Sequence, residues 1–144
     1  MMRVLLDTNV VLDVLLNRLP WEAEAAAILQ AARDSNLTTA VTSLSIANVF
    51  YVGRRHVGLE QAWRVVRECL NTLEILPVDA ATLEAAVSLP GKDLEDSIQI
   101  AAAIQSGVDA IVTRDPAGFT VSPVPVLTPP ELLAKLRNTT EQGG

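Results

Sequence analysis

Short apolar runs alternate along this chain with segments of helical spacing, and that alternation limits the fold more than any other feature. The strand-like runs are Arg3 to Leu6, Leu37 to Thr42, Glu74 to Val78, Asp109 to Thr113 and Val124 to Leu127. The first is apolar on consecutive residues, so both of its faces are covered. Between the runs lie helical segments: Val10 to Leu16, Trp21 to Arg33, Ser43 or Ser45 to about His56, Leu59 to Leu73, Asp79 to Leu89 and Asp93 to Ser106. A last helix starts at Pro129-Pro130 and runs to about Arg137. Gly58 and Gly107 punctuate the pattern. Strands that alternate with helices build a parallel sheet with right-handed crossovers, covered on both faces. The expected fold class is therefore α/β, with a mainly parallel sheet of four to five strands.

At 144 residues the chain suits one domain. Residues 1–137 carry the pattern, and 138–144 read as a polar tail without fixed structure. Hydrophobic residues reach 49% but aromatics only 3%, so the core must be built from Leu, Val, Ile and Ala. That mixture fits helices on a parallel sheet better than a β-sandwich. The lone Cys69 excludes a disulfide framework and a multi-cysteine zinc site, and reads as a small core residue. Asp7 interrupts any signal-peptide pattern, and no run approaches the roughly 20 apolar residues that span a bilayer. These features predict a soluble, cytoplasmic protein with no membrane partner.

The strand ends carry acids. Val4-Leu5-Leu6 runs into Asp7, and Ala110 to Arg114 runs into Asp115. Asp96 opens the apolar stretch from Ile98 to Ile104, with Asp93 three residues earlier. In parallel sheets ligands bind beyond the carboxyl ends of the strands, where Asp7 and Asp115 fall. Each acid has a plain structural reading: Asp7 and Asp93 as helix caps, Asp96 as a first-turn acid, Asp115 in an Asp-Pro turn. Their conjunction at one sheet edge argues for more. Carboxylates a few ångströms apart repel and raise each other's pKa. A hard divalent cation such as Mg²⁺ or Mn²⁺ relieves the repulsion.

Asp93 and Asp96 are spaced to share a helix face, whereas Glu95 points elsewhere and reads as solvated. Asn9 and Thr113 offer neutral oxygens to support the carboxylates. Asn48, among apolar neighbours, reads equally as a buried hydrogen-bonded amide or as a neutral oxygen near the acids. Arg54, Arg55 and Arg114 are candidates for phosphate contact, although a basic run at a helix end is ordinarily solvated. His56 alone supports neither a metal ligand nor a base. A net charge of −6 argues against bulk attraction to nucleic acid but not against a metal-assisted nuclease.

The chain resembles the PIN-domain nucleases, and specifically the bacterial toxin–antitoxin type. The carrying segments are Leu5 to Arg18, Ser43 to Arg55, Asp93 to Ala103, Ala110 to Phe119 and Val126 to Glu131. An early Asp-Thr-Asn, then Glu-Asp followed by an alanine run, then Ile-Val-Thr-Arg-Asp, is specific in combination. The resemblance implies a three-layer α/β/α fold and a Mg²⁺- or Mn²⁺-dependent endoribonuclease acting on RNA. By position its metal acids are Asp7, Asp96 and Asp115, with Asp93 as a further ligand. It also implies a small antitoxin partner, and apolar helix faces would support a homodimer. Many members carry Glu where this chain has Asn48. That change removes one charge and implies weaker metal binding, although one branch is similar in carrying Asn. Two other readings stay open. One is a nuclease fold that only binds RNA or protein. The other is a phosphatase with an Asp nucleophile, against which Asn9 counts, because such enzymes usually need a second Asp there.

Overall fold

In the computed structural model, residues 1–143 are described. The strands are β1 (Arg3–Leu6), β2 (Thr38–Thr42), β3 (Glu74–Leu76), β4 (Ala110–Val112) and β5 (Val126–Leu127). They form one five-stranded sheet in the order β3-β2-β1-β4-β5, and every pairing is parallel. The helices are α1 (Thr8–Leu15), α2 (Glu22–Arg33), α3 (Ser43–Val57), α4 (Leu59–Thr72), α5 (Ala80–Val87), α6 (Leu94–Ser106) and α7 (Pro129–Gly143).

The strand pleat sorts the core into two layers. Val4, Leu6, Val41, Ala110 and Val112 face one side, where they meet Val10 of α1, Ile28 of α2, Val49 of α3 and Leu132 of α7. Leu5, Ala40, Leu76 and Ile111 face the other, against Ile100, Ala102 and Ala103 of α6. The result is a three-layer α/β/α fold. The α6 stretch from Ser97 to Ala103 is buried throughout, as its all-round apolar sequence predicts.

Local chemistry explains the boundaries. Gly58 and Gly107 adopt positive φ of 88° and 71°, which end α3 and α6. Asp79 caps α5 by accepting from the Thr82 backbone. At α3 the cap is Thr42, whose hydroxyl accepts from the Ser45 amide, rather than Ser43 or Ser45. A 3-10 turn over Pro116–Phe119 is a further element that the residue pattern leaves as loop. The final helix extends to Gly143, past the expected end near Arg137. The last residue of the expected tail, Gly144, lies outside the described residues.

The strand order reverses direction at β1. The chain steps from β1 outward through β2 to β3, then returns to β4 on the other side. The switch point, where sheets of this kind bind their ligands, therefore lies at the carboxyl ends of β1 and β4. Their register pairs Leu6 with Val112, so the residues that follow these strands emerge side by side.

Candidate active site

Asp7 takes the N-cap position of α1, yet its side chain makes no capping hydrogen bond. The carboxylate turns the other way. It accepts from the Thr113 hydroxyl at 2.8 Å and from Gln99 Nε2 at 3.1 Å. With 6% of its surface exposed, it is a buried carboxyl group held by two donors. The cap reading of Asp7 is thereby excluded. Thr113, fully buried, also accepts from the Asp115 backbone amide at 3.1 Å. One hydroxyl thus ties the exit of β1 to the exit of β4.

The first turn of α6 brings in the next acids. Asp93 caps the helix by accepting from the Asp96 amide at 2.9 Å, so its structural reading holds. The Asp96 carboxyl is left without a hydrogen bond among the described residues. Its pKa is pushed up to about 6, first by burial and then by the charges of Asp93, Asp7, Glu95 and Asp115. Four carboxylates therefore act on one. Glu95 does not point away into solvent: it is half-buried and accepts from the Thr8 hydroxyl at 2.9 Å. Behind Thr8 the chain of hydroxyls continues through Ser45 to Thr42.

Asp115 opens the 3-10 turn with no capping bond of its own and stands exposed. Gly118 in that turn lies hard against the acids. A Cβ there would sit 2.6 Å from Asp96 Oδ2 and 3.9 Å from Asp115 Oδ2. The structure thus gathers Asp7, Asp96 and Asp115 around one space, with Asp93 at its rim.

The remaining candidates divide. Asn48 is half-buried on α3, one turn beyond Ser45, and makes no side-chain hydrogen bond among the described residues. The reading of a satisfied buried amide therefore fails. Asn9 is exposed and accepts from Arg18 at 3.2 Å rather than supporting Asp7. Arg54 and Arg55 are exposed in the last turn of α3. Arg114, a phosphate candidate by sequence, turns inward onto Asp13 and is not free to meet a backbone. Gln99, Thr8, Asp13 and Gly118 escaped sequence reasoning. Gln99 alone gave a signal, as a polar residue in an apolar helix three positions after Asp96.

Residues 3–117 match the PIN domain family. The chain is also 31% identical over 137 residues to "Ribonuclease VapC1" of Aquifex aeolicus, a match that covers 90% of this chain and 92% of that one. This chain belongs to the PIN-domain family. Among solved structures, DNA-bound VapBC from Salmonella typhimurium aligns with a TM-score of 0.71 at 15% identity, over 90% of this chain and 99% of that one. VapBC2 from Rickettsia felis, bound to a promoter DNA fragment, aligns with a TM-score of 0.68 at 19% identity, over 88% and 98%. At such identities these likenesses speak for the fold.

The donor set of this PIN domain suits a hard divalent cation. It consists of carboxylate oxygens, with one amide oxygen, Gln99 Oε1, buried beside Asp7 without a hydrogen-bond partner among the described residues. Among those residues, no three acids already stand at the mutual spacing of one ion's ligands. An ion would have to draw them together, and the repulsion felt by Asp96 is what it would relieve. Among the described residues no helix of the PIN domain is long and apolar enough to cross a membrane.

Proposed function

We propose that this PIN domain is a divalent-metal-dependent endoribonuclease, the toxin of a toxin–antitoxin pair. The observation that carries the reading is the convergence of Asp7, Asp96 and Asp115 at one sheet edge, with the Asp96 carboxyl raised to about 6 by burial and then by its acidic neighbours. The ribonuclease name of the Aquifex relative supports the activity, and the VapBC complexes among the structural neighbours support an antitoxin partner.

In this reading Asp7, Asp96 and Asp115 hold Mg²⁺ or Mn²⁺, with Asp93 at the edge. A bound ion of this kind lowers the pKa of a water and offsets charge on a phosphodiester in transit. Thr113 and Gln99 orient Asp7 by donating to both of its oxygens. With its carboxyl raised to about 6, Asp96 holds its proton below that pH, where a proton competes with the cation. Asn48, where many members of the family carry Glu, adds no charge to the site. Arg54 and Arg55 are exposed cations for the RNA backbone. A homodimer and a cytoplasmic setting belong to the same reading.

The test is cleavage of single-stranded and structured RNAs with Mg²⁺, Mn²⁺ or EDTA, using wild type, Asp7→Asn and Asp96→Asn. Cation-dependent cleavage lost in both variants is expected. Cleavage that survives both substitutions would sink the reading. Absent cleavage with retained RNA binding would favour a binding module instead.

A further inference from the structure

A second charged cluster lies beside the acids and serves none of the roles above. Asp13 of α1 is 1% exposed. Arg114 Nε donates to its Oδ2 at 2.9 Å and Nη2 to its Oδ1 at 3.4 Å. Arg18 approaches the same carboxylate at 3.6 Å. The Trp21 ring covers the Arg114 guanidinium at 3.8 Å. Yet Arg114 stands in sequence between Thr113, which holds Asp7, and Asp115. Its backbone is at the acid cluster while its charge is turned away.

That orientation needs a cause, because the nearby carboxylates attract a guanidinium strongly. Asp13 supplies one. A buried carboxylate with fork geometry outcompetes acids that are part-solvated or, like Asp7, already held by other donors, and the indole face adds cation–π attraction. We propose that Asp13 is a positioning residue that latches Arg114 out of the acid cluster, so that the cluster stays open to a cation. Without the latch, Arg114 becomes an internal counter-ion and competes for the carboxylates. The inference rests on the metal-binding reading above.

The experiment is Mn²⁺ titration by calorimetry on the full chain, with folding checked by thermal melt. Asp13→Asn is expected to weaken Mn²⁺ binding about tenfold, because the freed guanidinium enters the cluster. Asp13→Asn combined with Arg114→Met is expected to restore affinity to within about twofold of wild type. Trp21→Ala, a change at a partly exposed ring, loosens the same guanidinium and should weaken binding about threefold. Wild-type affinity in Asp13→Asn, or a double variant as weak as Asp13→Asn, overturns the latch. If Asp13→Asn does not fold, wild-type affinity in Trp21→Ala overturns it. A wild type that binds no Mn²⁺ overturns the metal reading instead. The latch is then judged by the NMR signal of the Arg114 Nε–H. That proton should exchange slowly in wild type and quickly in Trp21→Ala, and equal exchange in both overturns it.

Discussion

Asp96 is the residue through which the fold registers its own acidity. Its carboxyl titrates near pH 6 in the native state and near 3.8 when unfolded. Between those values the folded chain binds more protons than the unfolded one, so stability falls as pH rises through that window. Below about pH 4 the penalty is absent, and above about pH 6 it is complete. Asp96→Asn should therefore stabilise the metal-free protein at pH 7 by about 1 kcal/mol, after discounting for partial exposure, and leave it unchanged at pH 3.5. Melts at the two pH values check this. Gly118 poses the complementary case. Its φ is not positive, so alanine fits the backbone, but the new Cβ would displace Asp96 Oδ2 from 2.6 Å. Gly118→Ala should keep a near-native melting temperature while Mn²⁺ affinity falls about tenfold, as calorimetry would show.

Helices α1 and α3 meet so closely at Gly53 that an added Cβ would lie 2.9 Å from Leu15 Cδ2. Alanine there gains about 1 kcal/mol of helix propensity and displaces a mobile methyl, so Gly53→Ala should be close to neutral. Gly53→Val forces the helices apart and should cost about 1–3 kcal/mol in urea denaturation. Both helices carry the Thr8–Ser45 hydroxyl contact, so the wedge should also disturb Glu95. At this scale the sequence was readable where period and caps decide. The strands, and α2 to α6, lie within a few residues of where apolar spacing puts them. Asp7, Asp96 and Asp115 were legible because strand ends and a helix start are local signals. Gln99, Glu95 and Gly118 were not. Their roles depend on which side chain lands opposite Asp7 or Asp96 across the crevice, and no local pattern encodes that. The turn at Pro116–Phe119 is too short to declare a period.

For the molecule as a whole, an acid cluster that repels itself is a standing cost that a cation removes. Mn²⁺ at a hundred times its dissociation constant should raise the unfolding free energy by about 2.7 kcal/mol. The melting temperature should climb with Mn²⁺, return with EDTA and stay flat in Asp7→Asn. An Asp7→Asn melt that climbs equally would place the ion elsewhere. The topology adds a matter of timing. The central strand is the first made, and its neighbours in the sheet come from Thr38–Thr42 and Ala110–Val112. Thr113, which orients Asp7, is 106 residues downstream of it. Contacts so distant close slowly, and during synthesis they cannot close until the segment through Thr113 has left the ribosome. A nascent chain therefore carries Asp7 through the synthesis of more than a hundred further residues without the partner that orients it. The crevice is assembled only after the segment that carries Thr113 has been made.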